Sequence, residues 1–462
     1  MIRVFKHYIP TPFLVLCVIE NLILVVSIYS AIYIRYFNVS YAPGAIAEYL
    51  PEALTFAGAI LLTMFAVGLY RREHSQDLRA VFFRLIASFG LALIALSLVF
   101  YVFPDLKIWR SAFAVAVILA LVGILAARFV FLKLCDRAAF KRRILVLGAG
   151  ARAAHIERLE TDGEAQSFTP IGFLATPDAE TCVNPSRVLS GVNSLAAFAR
   201  DHGVEEIVVA VEDRRAGLPV EALLECKLEG ISVTDYPGFC ERETGQVDLD
   251  SLQPSWLIFS DGFVTGPVRN VLKRGFDIVA SLVLLVFTFP LIATAALAVR
   301  LESHGPIFYR QERIGLAGRP FMLLKFRSMK VDAEDDGVPR WAAAKDSRVT
   351  RVGAFIRKTR IDELPQIFNV LKGEMSFVGP RPERHYFVDQ LSAQVPYYSE
   401  RHRVKPGITG WAQLNYPYGA SIDDAKAKLQ YDLYYVKNYS AFLDLSILMQ
   451  TIRVVLWPEG VR

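Results

Sequence analysis

The sequence predicts a membrane protein of mixed α and α/β class: four N-terminal transmembrane helices, a Rossmann-like α/β domain, and a C-terminal α+β domain with a re-entrant membrane helix. Three observations carry this. The 462 residues are too many for one ordinary domain, and 53% of them are hydrophobic, with a mean hydropathy of +0.34, above the needs of a soluble globular chain. Long apolar stretches fill the first third of the chain and recur once near its middle. Between these lies a strand of continuous apolar residues opening into a glycine-rich turn. The expected domains are 1–137, 138–265 and 266–462, with the re-entrant segment at 273–300.

Apolar stretches run from Phe13 to Ile34, Leu50 to Tyr70, Val81 to Phe103 and Ser111 to Leu132, each about the ~20 residues that cross a hydrocarbon core. Basic residues gather at Arg3 and Lys6, at Arg71, Arg72 and Arg79, and at Lys133, Arg137, Lys141, Arg142 and Arg143, against only Arg35, Lys107 and Arg110 in the other loops. The positive-inside rule therefore places both ends of this bundle in the cytoplasm, and the N-terminal stretch reads as an anchor rather than a cleaved signal. Glu20, beside Asn21 in the first span, is an intramembrane carboxylate, a functional candidate by default. A helix contact is the favoured reading, because so few polar positions line no pathway, which also counts against a transporter.

From Ile144 to Gly150 the chain reads as a buried parallel strand entering a glycine turn, with a helix from Ala151 to Leu159 and further strands at Ile171 to Leu174 and Ile207 to Val211. Gly148, Gly150 and Ala153 match the G-x-G-x-x-G/A spacing of a nucleotide loop. The match is weak, since the acid that would bind ribose, Asp178, lies well beyond the ~20 residues expected. The five cysteines (Cys17, Cys135, Cys182, Cys226 and Cys240) are scattered without metal-ligand spacing and read as reduced structural thiols. The net charge of +5 implies no nucleic-acid partner.

Gly275 to Val299 is apolar except for Asp277, with Lys273 and Arg274 before it and Arg300 after. Were it to cross, the basic C-terminal domain would lie outside, against the charge rule. Pro290 supplies a break, and Thr288 is a candidate hydroxyl to serve a freed carbonyl, so the segment is expected to enter the membrane and return.

The chemistry-bearing stretch follows. Pro306 to Gln311 and Phe321 to Arg327 read as extended segments, in which Lys325 and Arg327 would share one face and could hold a diphosphate. Leu364, Ile367, Phe368 and Leu371 are spaced for a helix beginning near Asp362, where its dipole would keep Asp362 ionised. Asp362 and Glu363 could be an ordinary helix start. Alternatively they are a reactive pair, favoured by Arg357, Lys358, Arg360, Arg381 and Arg384 around them. Gly379-Pro380-Arg381-Pro382-Glu383 presents an arginine between two conformationally restricted residues, and Lys405 to Trp411 is a second stiff loop. A helix from Asp423 to Asn438 and an apolar stretch from Phe442 to Trp457 close the chain.

Lys325-Phe326-Arg327-Ser328-Met329, Asp362-Glu363-Leu364-Pro365-Gln366, Gly379-Pro380-Arg381-Pro382 and Lys405-Pro406-Gly407-Ile408-Thr409-Gly410-Trp411, in this order, resemble the bacterial sugar transferases that make polyprenyl-diphosphate sugars. The resemblance covers about residues 270 to 462. With the spans and the Rossmann-like unit it extends to the large undecaprenyl-phosphate hexose-1-phosphate transferase type, exopolysaccharide-associated branch. It implies transfer of hexose 1-phosphate from a UDP-sugar to undecaprenyl phosphate with release of UMP, as the initiating step of exopolysaccharide or O-antigen-type glycan synthesis, at the cytoplasmic face of the inner membrane. Asp362 matches the family's nucleophile, which forms an aspartyl-phosphosugar, and Glu363 its dyad partner, the two carboxylates serving a magnesium ion (Mg2+). Lys325, Arg327 and Arg357 match basic site positions, and Pro380, Arg381, Pro382 and Glu383 the nucleotide-binding motif. The family's break reads Ser-Pro, whereas Pro290 here follows Phe289, leaving Thr288 as the hydroxyl. Membrane lipid is an implied partner, and a homo-oligomer is left open. A rival reading from another class is a membrane-anchored nucleotide-sensing or assembly protein of a polysaccharide system, with its ligand on the Gly148 loop.

Overall fold

A computed structural model describes residues 2–4, 7–9, 11–36, 46–70, 78–134, 141–162, 167–176, 180–192, 194–212, 218–252, 262–263, 266–330, 348–417, 419 and 421–456. Asp178, Cys135, Trp457 and the loop cations Lys6, Arg71, Arg72 and Arg137 lie outside them. The chain forms two units, which divide between Gly245 and Gln246.

In the first unit, α1 (Thr11–Tyr36), α2 (Leu50–Ala66), α3 (Leu78–Val102) and α4 (Arg110–Leu134) form the N-terminal bundle. α1 packs on α4 and α2, and α2 on α3, around Leu24, Ile28, Phe56, Ile60, Ala116 and Ala120. Small residues on α4 let the helices approach where lipid offers no hydrophobic contrast. The expected second span ends early. α2 has 17 residues, and Gly68, at φ 82°, turns the chain before Tyr70. Among the described residues, four helices are nevertheless long and apolar enough to cross a membrane: α1, α3, α4 and a later one, Pro267–Glu302. The protein is a multi-pass membrane protein by this measure.

Glu20 is wholly buried in the bundle. Arg128 of α4 donates to both its carboxylate oxygens, at 2.6 and 3.2 Å, and to the Leu69 carbonyl at 3.0 Å, while the Tyr70 hydroxyl donates to the same carboxylate. The intramembrane charge is thus answered in place, joining α1, α4 and the end of α2.

The α/β part of this unit is a five-stranded all-parallel sheet. Its strands are β1 (Arg142–Leu147), β2 (Phe168–Leu174), β3 (Val188–Leu189), β4 (Glu206–Val209) and β5 (Ser232–Asp235), in spatial order β3-β2-β1-β4-β5. Helices α5 (Ala151–Thr161), α6 (Leu195–Asp201), α7 (Val220–Leu228) and α8 (Tyr236–Thr244) connect or follow the strands. Separate apolar cores, one around Ile144, Val146 and Phe168 and one around Leu145, Ile207 and Val209, lie on the two faces of the sheet. This is the doubly wound order, with its switch point between β1 and β4. β3 and β5 are additional to the three strands read from the sequence; β3 has only two residues, too few for a periodic signal.

The second unit begins with α9 (Pro267–Glu302), followed by the antiparallel hairpin β6 (Phe308–Ile314) and β7 (Pro320–Phe326). Then come α10 (Arg351–Lys358), α11 (Gln366–Lys372), β8 (Ser376–Val378), α12 (His385–Gln394), β9 (Gly407–Thr409), α13 (Trp411–Asn415), α14 (Ile422–Asn438) and α15 (Ala441–Leu456). β8 and β9 pair in parallel, Ser376 opposite Gly407 and Val378 opposite Thr409, so the two stiff loops are neighbours. Val247 and Leu249 share this unit's core with Leu323, Val370, Phe377, Leu433 and Tyr434.

α9 runs helically through Pro290. The Thr288 hydroxyl donates to the Leu284 carbonyl at 2.7 Å, two residues before the Val286 carbonyl, which proline leaves without its i+4 donor. Near its start, Asp277 accepts from the Ser376 hydroxyl at 3.0 Å and the Phe377 amide at 3.2 Å, and Arg274 caps α11 by donating to the Val370 and Leu371 carbonyls. Near its end, Ile292, Ala295 and Val299 pack with Phe326, Ile356 and Ile361. Between these anchors Val279, Leu282, Val286, Phe287 and Phe289 are exposed.

Candidate active site

The two acidic residues lie in a 3-10 turn, Ile361–Glu363, and α11 begins only at Gln366. The helix expected to start near Asp362 is delayed because Pro365 suits the residue just before a helix and lacks a donor for earlier turns. Arg360 enters the turn at φ 58°, a left-handed conformation that disfavours side chains and costs about 1–3 kcal/mol. That reversal folds Arg360 back towards Glu363, at 3.8 Å.

Glu363 is the anchor of the cluster. Its Oε1 meets Lys325 Nζ of β7 at 3.1 Å and Arg381 Nη2 at 3.1 Å. Burial works against its charge, but Lys325, Arg381 and Arg360 outweigh burial and hold its carboxyl well below the usual carboxylate range. Asp362 is the opposite case. It is 9% exposed, and no hydrogen bond or ion pair engages its side chain among the described residues. Burial, then the neighbouring Glu363, push its carboxyl up, while Lys325, Arg360 and Arg357 pull it down. The expectation that a helix dipole keeps Asp362 ionised is not met: the helix starts only at Gln366 and the cations converge on Glu363. Burial also pushes the Lys325 ammonium down, and Arg381 adds to this.

A residue not singled out by sequence sets the position of Lys325. Asn369, fully buried on α11, accepts from the Leu324 amide at 3.0 Å and donates to the Met322 carbonyl at 2.7 Å and to Glu374 at 2.6 Å. It clamps α11 against β7 so that the following Lys325 faces the turn. An amide among Ile367, Phe368 and Val370 is the signal that could have revealed it.

The other expected residues divide. Arg381 reaches Glu363, with Pro380 and Pro382 buried on either side. Glu383 faces Arg313 at 3.6 Å. Arg357 acts on Asp362 through its charge. Arg327 lies one residue past β7 and is directed elsewhere: it is buried and donates to Ser303 O, Ser303 Oγ and His304 O at 2.7, 2.8 and 3.1 Å, fixing the turn after α9. Gly379 has room for no side chain, since a Cβ would lie 2.3 Å from the Lys405 carbonyl oxygen.

In the first unit, Gly148 (φ 123°) and Gly150 do form a tight turn at the switch point. Glu212, just beyond β4, fills the place where a phosphate would sit. Its carboxylate accepts from the Ala151 amide at 2.9 Å and lies 2.8 Å from where a Gly150 Cβ would be. No group of three or more metal-ligating side chains occurs among the described residues, so any ion at the dyad would need oxygens from its ligand, as magnesium on phosphates commonly does.

Residues 268–458 match the bacterial sugar transferase family, and residues 66–217 a CoA-binding domain family. A UDP-N-acetylgalactosamine-undecaprenyl-phosphate N-acetylgalactosaminephosphotransferase of Aeromonas hydrophila is 43% identical over 54% of this chain and 58% of its own length. A UDP-glucose:undecaprenyl-phosphate glucose-1-phosphate transferase of Escherichia coli is 44% identical over 40% of each chain. For these relatives the matched part is about half of their length. An uncharacterized sugar transferase, EpsL, of Bacillus subtilis is 44% identical over 42% of this chain and 91% of its own length. With nearly all of that relative matched, and the dyad, Lys325 and Arg381 all inside the matched region, the chain belongs to the bacterial sugar transferase family.

Proposed function

We propose that the protein transfers a hexose 1-phosphate from a UDP-sugar to undecaprenyl phosphate, releasing UMP, at the cytoplasmic face of the bacterial inner membrane. The observation that carries this is the division within the dyad: a buried Asp362 with an unengaged carboxylate, beside a Glu363 whose charge holds Lys325 and Arg381 in place. An Asp362 oxygen attacks the sugar-bearing phosphorus of the donor, a P–O bond forms, and the bond to UMP breaks, the electron pair leaving with UMP. A phosphate oxygen of the lipid then attacks the same phosphorus, the aspartyl P–O bond breaks, and the carboxylate is restored as the lipid diphosphate sugar forms.

Lys325, Arg381 and Arg360 offset the charge of the donor's phosphates and thereby the repulsion a carboxylate would meet. The donor set fits magnesium held by Asp362 and Glu363 together with phosphate oxygens, which when bound would neutralise charge on the leaving diphosphate oxygen. The weak nucleotide loop does not enter this scheme, since Glu212 occupies its anion position, which also counts against the sensor reading.

We further propose that α9 enters the membrane and returns. Both of its ends are tied to the same unit, Asp277 to Ser376 and Val299 to the Phe326 core, with the exposed apolar stretch between them. Labelling of single cysteines placed just before residue 273 and just after 300 is expected from one face only; labelling from opposite faces would refute it.

The transfer is tested with purified Asp362→Asn in a UMP-release assay across a panel of UDP-sugars with undecaprenyl phosphate. Release is expected to vanish with every donor that the unsubstituted protein uses. Undiminished turnover would overturn the assignment.

A further inference from the structure

The loop that carries Arg381 is held almost wholly through its carbonyls. Pro380 and Pro382 have no amide hydrogen, so a Pro-Arg-Pro-Glu segment cannot be fixed by the usual run of backbone donors. Four consecutive carbonyls are instead taken by four separate partners. The Gly407 amide donates to Pro380 at 2.9 Å, Arg401 Nη2 to Arg381 at 2.9 Å, Arg313 Nη1 to Pro382 at 3.2 Å, and the Ile314 amide to Glu383 at 3.0 Å.

Arg401 holds the carbonyl of the very residue whose guanidinium meets Glu363. It is buried, and it is itself fixed by Asp432 at 2.8 Å and by the Tyr398 hydroxyl at 2.6 Å. A buried arginine with one carboxylate partner and one backbone target in rigid geometry is preorganised. We infer that Arg401 is a positioning residue for the transfer reaction, acting through the Arg381 backbone to hold the Arg381 guanidinium on Glu363 and, with it, on the phosphates of the donor. The claim rests on the transferase reading above. Nothing in the sequence motifs marks Arg401, which lies 20 residues from Arg381 and reaches it only through the fold.

The test uses the full-length protein in lipid nanodiscs. Arg401→Lys keeps the charge for Asp432 and loses the planar fork. Its kcat/KM for the UDP-sugar is expected to fall about tenfold or more, since misplacement by about 1 Å can cost on the order of 100-fold. The loss should not compound with that of Arg381→Ala: the double variant should match Arg381→Ala within about twofold, because non-additivity marks residues that act as a unit. A normal Arg401→Lys rate, or a loss that multiplies onto that of Arg381→Ala, overturns the inference. Should Arg401→Lys fail to fold, Arg401→Leu combined with Asp432→Leu removes both buried charges together and is judged by the same two criteria. Amide hydrogen exchange at Arg381 and Glu383 separates this inference from the activity assignment. Faster exchange in the Arg401 variant supports the positioning role even if the unsubstituted protein releases no UMP, an outcome that would sink only the transferase reading. Unchanged exchange sinks the positioning role whatever the assay shows.

Discussion

Replacing Glu363 by glutamine keeps the volume of the side chain and removes the charge on which the site's cations converge. In the native protein Lys325 and Arg381 each lie 3.1 Å from Oε1 and Arg360 3.8 Å, with the Glu363 side chain only 13% exposed. Burial and Glu363 together raise the Asp362 carboxyl, and Lys325, Arg360 and Arg357 oppose them. With residue 363 neutral, one raising cause is gone while the opposing cations remain, so the Asp362 carboxyl falls.

In the proposed transfer Asp362 attacks in its ionised form, so native activity should decline as the pH drops through its raised carboxyl value. In Glu363→Gln the acid limb of single-turnover UMP release should lie at lower pH than in the native protein, on a reduced plateau. A limb that stays in place or moves to higher pH would refute the coupling. Stability follows a separate sign. The Glu363 carboxyl is depressed in the folded state, so its stabilisation is present above the ordinary carboxylate range and fades as the pH falls towards its folded value. At neutral pH the variant should lose about 2–3 kcal/mol, below the full figure for a buried pair because both partners retain some exposure, and the gap should narrow in acid. Removing the Glu363 charge also relieves the repulsion that raises the Asp362 carboxyl, so Asp362 offsets part of this loss.

Asn369→Ala removes the part-buried bonds to the Leu324 amide and the Met322 carbonyl, at about 1 kcal/mol each, so thermal unfolding should drop by several degrees and UMP release should weaken as Lys325 loosens. An unchanged melting curve would refute the clamp. Arg128→Leu strands the Glu20 carboxylate in the bundle and should destabilise the protein by about 3–5 kcal/mol, with Glu20→Gln in the same chain recovering much of it. Absence of recovery would show that the two do not act as a pair. Glu212→Ala removes the acceptor of the Ala151 amide, a change worth about 1 kcal/mol by analogy with a helix cap, and should leave UMP release unchanged; loss of turnover would tie the Rossmann-like unit to catalysis.

What was legible in the sequence is what repeats or clusters along it. The spans, the doubly wound strands β1, β2 and β4, the helix α14 and the company around the dyad are all local in the chain, as are Arg381 and its prolines. The end of α2 was misread because apolar composition continues to Tyr70 while Gly68 has already turned the chain. Arg327 was paired with Lys325 on strand alternation, but β7 stops at Phe326, so the rule no longer applied at the residue it was used for.

The inverted roles within the dyad have a deeper cause. Helix-dipole reasoning treats Asp362 and Glu363 alike as carboxylates at a helix start. The distinction between them comes from three cations supplied by β7, the left-handed Arg360 and the Pro-Arg-Pro loop, lying up to 38 residues from Glu363 in the chain. A 3-10 turn sends adjacent side chains in different directions, so one carboxylate meets these cations and the other does not. Adjacency in sequence therefore produces the asymmetry: the two groups share a desolvated position, and the one that takes the cations leaves the other buried, unengaged and raised. In the proposed transfer, a buried carboxylate in that state would need no further base once a phosphate group brought its own charge to Lys325 and Arg381, because the cations would then have a second anion to meet and the Asp362 oxygen would be free to attack. On that scheme Arg381, and the residues that fix its carbonyl, would serve the reaction without exchanging a proton.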